Sequence, residues 1–535
     1  MPSDASIAGK SDGEQYAVSS MNIHPNPQVQ ARRWLVLPVL CISLFMVVVD
    51  NLIINVALPT LSTELGASTS GLQWIVDSYA LVFACLLLAF GALGDKLGRK
   101  GLIQFGMVAF VACSVWASFA QSTSSLIIAR GAMGIGAAAI FPATLAIIID
   151  IFRDPVERAK AIGVWSAVSG MAVAFGPISG GLLLEHFYWG SVFLINLPVG
   201  VIALILGAIL IPSSKDPNPR GLDVPGFILS IAMVGLLVYT VIEGPHRGWL
   251  SATTLVSFVL TAVLFAIFIR YELAAKEPLL DVRVFRNARV SAATGSIGIA
   301  FFVLFGFIFL VTQYFQFVRG YSTLSSGVHT LPFAFGAGIT APIAARLALK
   351  FGTKRVVSMG LTNMGIGLTI MGFCGAQAAY WGPVVIGMLF LASGLGLVTS
   401  PSTDAVMGEL PAERAGVGSA INDVSREVGG TLGVAISGSV FASLYGPKLG
   451  ELTSGFKMPE EVVAIAKESA GAGFAVASKA PTAEASEAIR GAVSEAFMHG
   501  FHSATFTGAA VAFVGAICAL KFLPSRRQRV EAVIN

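Results

Sequence analysis

Apolar runs of about twenty residues, each closed by a short polar or glycine-rich connection, recur along nearly the whole chain, and a run of that length predicts a helix that crosses a bilayer. The pattern predicts fourteen, over residues 34–60, 73–93, 102–121, 124–149, 160–184, 191–211, 224–243, 251–271, 291–317, 325–347, 355–375, 381–402, 417–442 and 501–523. The fold class is therefore an all-α polytopic membrane protein. Residues 1–33 precede the first run; 1–30 are rich in Ser, Asp, Gly, Asn, Pro and Gln with no apolar core. They read as a disordered tail and not as a signal peptide. Residues 524–535 read as a second tail.

Lys and Arg follow the connections unevenly. With the amino terminus inside, 25 of the 34 fall in inner segments, while the short outer loops hold only Arg247 and Arg319. Positive charge is retained on the cytoplasmic side, so both termini are expected there. The outer segment 443–500 is the exception, and long loops escape the charge rule. Its Ala- and Glu-rich runs 459–470 and 483–498 have helical periodicity and predict two short helices on the outer face.

Composition narrows the functional classes. Hydrophobic residues make up 55% of the chain and charged ones 12%, half the share of about 25% in soluble proteins. The net charge of +4 comes with no basic stripe, so nucleic-acid binding gets no support. Cys41, Cys85, Cys113, Cys374 and Cys518 stand singly in apolar runs and the six histidines are scattered. No metal or cofactor is suggested, and no catalytic constellation points to an enzyme.

A faint repeat divides the chain. GALGDKLGRKGLI at 91–103 follows the second helix and LALKFGTKRVV at 347–357 the tenth, with Gly98 and Lys100 matching Gly352 and Lys354. The expected organisation is a six-helix bundle over 34–211 and a second over 291–523 that contains the outer loop. A linker over 212–290 carries two inserted helices. Secondary transporters are often built from such halves, with the substrate site between them.

Charges inside the apolar runs are costly and therefore informative. Asp50 lies deep in the first helix, Asp77 in the second, and Asp423 and Glu427 in the thirteenth. A spacing of four puts the last two on one helix face. Burial penalises the charged carboxylate, so such groups can exchange a proton for a cation; a structural reading pairs Asp423 with Arg426. Arg130 in the fourth helix is the mirror case and should face a water-filled cavity or a carboxylate. Gly91, Asp95, Gly98, Arg99 and Lys100 form an inner loop in which Asp95 and Arg99 could lock helix ends, with Asp150 as a third partner. Gly176 and Pro177 sit in a glycine-rich fifth helix that can kink and pack closely. The aromatic run 301–317 could line an apolar, cation-tolerant cavity.

These segments together resemble the major facilitator superfamily, and in particular its fourteen-helix drug:proton antiporter branch. GALGDKLGRKGLI looks like the loop signature after the second helix. ARGAMGIGAA resembles the proton-coupling arginine segment, with Met133 in place of Gln. GVWSAVSGMAVAFGPISGG resembles the antiporter signature, with Ala172 where glycine is favoured, and DNLIINVALP the first-helix signature. QWIVDSYAL, FLINLPVG and VTQYFQFVRGYS are similar to the same branch. The resemblance implies that Asp50, Asp77, Arg130, Asp423 and Glu427 serve proton coupling or cation recognition. It also implies export rather than uptake. An acid found in the tenth helix of some members is missing from HTLPFAFGAGITAPIA, so recognition of divalent cations by that route is not implied.

The expected function is a monomeric proton-driven antiporter of a bacterial plasma membrane, exporting lipophilic or cationic drugs, dyes or biocides by alternating access. The proton gradient is its energy source. The alternatives are export of one endogenous metabolite or antibiotic, and proton-coupled uptake.

Overall fold

A computed structural model describes residues 27–215, 221, 223–409, 415–456 and 458–524. Among them every regular element is helical, as a hydrocarbon solvent requires, because a helix satisfies its own backbone hydrogen bonds. Fourteen long helices run in order: α1 Pro27–Glu64, α2 Thr69–Leu97, α3 Arg99–Ser118, α4 Thr123–Ile151, α5 Pro155–His186, α6 Ser191–Leu210 and α7 Val224–Arg247. They continue as α8 Ala252–Ala274, α9 Ala288–Val318, α10 Thr323–Phe351, α11 Thr353–Gly372, α12 Tyr380–Glu409, α13 Ala415–Thr453 and α16 Ala483–Phe522. Two short helices, α14 Glu460–Glu468 and α15 Ala470–Ser478, lie between the last two. Thirteen of the fourteen are long and apolar enough to cross a membrane. The other is α11, whose first turn carries Lys354 and Arg355.

Polar residues start the helices. Ser68 caps α2, Thr482 caps α16, and the Asp154 carboxylate accepts from the N–H groups of Val156 and Glu157 ahead of Pro155, the usual solution for unpaired first-turn donors. α10 breaks at Thr330, where Pro332 in the next turn has no N–H to continue the ladder. Gly98 (φ +118°) and Gly352 (φ +87°) make the α2–α3 and α10–α11 turns. These conformations disfavour a β-carbon, which explains why the repeat keeps glycine at both places.

α1 to α6 pack on one another, with α4 lying between α2 and α3 and α1 against α5 and α6; α9 to α13 and α16 form a second group. Small residues permit the close approach: Gly136 lies on the backbone of Phe110, and Gly394 on that of Gly360. The groups meet where α5 crosses α10, α2 crosses α13 and α1 crosses α9, and the inserted α7–α8 pair leans on α2 and α13.

The end bearing α14 and α15 is the cap end; the end bearing the Gly98 and Gly352 turns is the basic end. Among the described residues, the side-chain hydrogen bonds between the two groups lie at the cap end. Gln73 Nε2 donates to Ala435 O (2.7 Å), Gln316 Nε2 to Val56 O (2.9 Å) and Thr323 Oγ1 to Gly181 O (3.0 Å). Ser62 Oγ and Ser469 Oγ are 2.9 Å apart, and Thr69 Oγ1 donates to Glu468 O. Phe317 stacks on Phe474 at 5.6 Å.

Three boundaries depart from expectation. Residues 27–33 belong to α1, while the rest of the tail, 1–26, and residues 525–535 lie outside the described residues. The run 483–498 is not a separate helix but the first turns of α16. Gly500 alone does not break that helix, since the missing side chain lets Phe441 pack against it. The second short helix is 470–478 instead, started by the Ser469 cap.

Candidate functional site

Deep in the first group, α1, α3, α4 and α6 bring together a buried polar cluster. Asp50 and Arg130 are both fully buried, and Arg130 Nη1 donates to Asp50 Oδ2 at 2.5 Å. Asn196 Nδ2 donates to Asp50 Oδ1 (2.8 Å) and to Ser114 Oγ (2.9 Å), and Ser114 donates to Phe193 O. Arg130 Nε donates to Ile75 O (3.3 Å), and the guanidinium lies 4.3 Å from the Tyr79 ring centroid. Tyr79 in turn donates to Val47 O. A buried ion pair holds only when further hydrogen bonds offset its desolvation, and here both carboxylate oxygens have a donor. Arg130 Nη2 has no partner among the described residues.

Asp77 is the opposite case. It is fully buried on α2, and neither carboxylate oxygen has a hydrogen-bond partner among the described residues. It lies four residues from Gln73, hence on the helix face that meets α13. On α13, Asp423 and Glu427 are half-buried. Asp423 is 3.9 Å from Arg426 Nη1, too long for a good hydrogen bond, and Arg426 lies 5.4 Å from the Phe301 ring centroid.

At the basic end Arg99 holds Asp95 Oδ1 through Nη2 (2.7 Å) and Nε (2.9 Å). Its third partner is not Asp150. Arg99 Nη1 reaches Ser214 Oγ at 3.1 Å, whereas Asp150 pairs with Arg153, three residues on in its own chain, at 3.6 Å. The local contact wins because it needs no reach across helices. Nearby, Arg33 grips Glu157 through two bonds of 2.9 Å and ties α1 to α5.

Gly91 leaves only Pro142 near its missing side chain, at 3.9 Å. At Gly176 a β-carbon would meet Leu52 at 3.0 Å, and at Gly181 it would stand 2.5 Å from Leu324 Cα. Gly327 faces the carbonyl of Pro177. α5 thus seats on both α1 and α10 through its glycine–proline stretch.

Between the groups, a cavity on the cap side of Asp50 is lined by Leu52, Asn55, Pro177, Phe307, Thr312 and Thr330, among others. Only part of the aromatic run 301–317 reaches it; Tyr314 stacks on Phe501 at 5.3 Å and Phe315 on Tyr321 at 5.6 Å in the packed core.

The sequence reading named Asp50 and Arg130 but not Asn196, Ser114 or Tyr79, which complete their cluster, nor Gln73 and Asn55. Each is a polar residue inside an apolar run, a signal that was present. Amides and hydroxyls are common enough in helices that spacing alone does not select them.

Multidrug resistance protein Stp of Mycobacterium tuberculosis is 36% identical over 402 residues, 75% of this chain and 74% of that protein. Methyl viologen resistance protein SmvA of Salmonella typhimurium is 36% identical over 473 residues, 87% of this chain and 93% of that one. Among solved structures, an inward-facing bacterial homologue of the human lysosomal transporter Spinster superposes with a TM-score of 0.64 at 17% identity, covering 94% of this chain and all of the other. The family model of the Major Facilitator Superfamily matches residues 40–434, and the chain belongs to that superfamily.

Proposed function

We propose that the protein is a proton-driven antiporter that exports lipophilic and cationic small molecules across the bacterial plasma membrane, with the basic end in the cytoplasm. The observation that carries the coupling is Asp77. A buried carboxylate without a donor costs far more than a neutral carboxyl group, so Asp77 is stable here only with a proton bound. In the state described the cap end is tied shut, and cargo would load from the basic end. Asp423 and Glu427, partly buried on α13, would attract a cation toward the seam. Its arrival favours the charged form of Asp77 and displaces the proton. Reopening at the cap end would release cargo and allow reprotonation. The Arg130–Asp50 pair, its two charges matched, stays fixed in the same half. Relatives that confer resistance to several drugs (Stp) and to methyl viologen (SmvA), as their names state, support this reading.

The test is ethidium transport by purified protein in liposomes with an imposed pH gradient, with and without a protonophore. The wild type is expected to move ethidium only while the gradient lasts. Asp77→Asn is expected to lose gradient-driven accumulation yet keep downhill exchange. Accumulation by Asp77→Asn at the wild-type level would remove Asp77 from the coupling.

A further inference from the structure

The cavity between the two groups has a chemical bias. Asn55 on α1 is 1% exposed and lines it. Its Nδ2 lies against the carbonyls of Asn51 (3.3 Å) and Leu52 (3.4 Å). Carbonyls only accept, so this edge must be the NH2 group and the orientation of the amide is fixed. Oδ1 therefore points away from the helix backbone, and it has no partner among the described residues. An orphan buried acceptor costs the full desolvation of the group unless something donates to it.

The other polar atoms of the wall have the same polarity. The Thr312 hydroxyl gives its proton to Ile308 O (3.3 Å) and the Thr330 hydroxyl to Gly327 O (2.6 Å). Each then has only lone pairs left to offer. The helix N–H groups are engaged in their own ladders. Leu52, Pro177, Phe307 and Phe333 supply the remaining surface. The wall accepts hydrogen bonds and donates none.

We infer that Asn55 is a specificity-determining substrate contact, and that the cavity selects lipophilic molecules bearing an N–H donor, above all protonated secondary and tertiary amines, over quaternary ammonium ions of the same shape. The inference rests on the export reading and sharpens it. A protonated amine gives its N–H to Asn55 Oδ1 while its alkyl groups and charge lie on Phe307 and Phe333. A quaternary ion has the same charge and bulk but nothing to donate, so Oδ1 stays unpaired beneath it. The unmatched acceptor makes the discrimination larger than an added methyl group alone would.

The experiment compares dimethyl(naphthylmethyl)amine, at a pH where it is protonated, with trimethyl(naphthylmethyl)ammonium. Binding of each to purified protein in lipid nanodiscs is measured by competition against ethidium. The wild type is expected to hold the tertiary amine about tenfold to a hundredfold more tightly, the range for a charged donor on a buried acceptor. Asn55→Leu, close in shape, is expected to bring the two ligands within about threefold by weakening only the amine. Equal binding of both ligands by the wild type overturns the inference, as does a preference that survives Asn55→Leu or a failure of both ligands to displace ethidium. A transporter that pumps ethidium under a proton gradient without discriminating the amines would keep the export reading and sink only this one. Should Asn55→Leu fold poorly, Asn55→Asp, which keeps an acceptor, must preserve the preference for the amine.

Discussion

Neutralising one side of the Asp50–Arg130 pair should do more harm than neutralising both. Both side chains are fully buried, and removing one partner of such a pair costs about 3–5 kcal/mol because it strands the other charge. Asp50→Asn would leave Arg130 with the Ile75 carbonyl and the Tyr79 ring 4.3 Å away, partial compensation for a cation. Arg130→Gln would leave Asp50 with the Asn196 amide as its one remaining donor, and should be the worse of the two. The double variant has no stranded charge and keeps an acceptor for Asn196.

The coupling between the two sites should then reach about 2–3 kcal/mol, the upper part of the range measured for contacting residues. The assay is the folded fraction in detergent against added SDS, for all four corners of the cycle. Single-variant losses that add to within about 0.5 kcal/mol would show that the pair is not a unit and refute the reasoning. A well-folded double variant that no longer accumulates ethidium would assign the charges to transport as well as to stability.

Two further outcomes follow from the ends of the bundle. Gly181→Ala places a β-carbon 2.5 Å from Leu324 Cα; overpacking of this kind costs about 1–3 kcal/mol, so α5 and α10 should part at the cap end. Spin labels placed on α5 and α10 there should show a longer distance, and an unchanged distance would contradict the packing. Asp95→Asn removes the charged partner of Arg99 at a half-exposed site, worth about 1 kcal/mol or less. Its folded fraction should therefore stay near wild type while conformational exchange, read from the same labels, shifts toward the cap-open state.

Much of the architecture was legible because a bilayer leaves a chain few options. Every predicted span has a helix at its place, since twenty apolar residues without a partner for their backbone must coil. Even α11, with Lys354, Arg355 and Asn363 diluting its apolar run, was found from its length. What failed was what tertiary contact decides. The runs 483–498 and 501–523 read as separate elements, but Gly500 between them packs against Phe441 and α16 continues through it. Asp150 was matched to Arg99 by its place at a helix end, and the choice between Arg99 and Arg153 depends on a few ångströms between helices that no spacing encodes.

The candidate site divides along the same line. Acids and an arginine inside apolar runs stand out because of their cost, so Asp50, Asp77, Arg130, Asp423 and Glu427 were all visible. Their differences were not. Asp50 has a donor for each oxygen, whereas Asp77 has none among the described residues, and the proposed coupling rests on this contrast. A carboxylate already matched by a guanidinium and an amide gains little from a passing cation, while an unmatched one gains a great deal. Under the proposed coupling the two acids would have different tasks: Asp50 would hold Arg130 in place and Asp77 would exchange its proton. The partition makes Asp77→Asn a coupling variant and Asp50→Asn first a folding variant, an order that the SDS titration and the ethidium assay read independently.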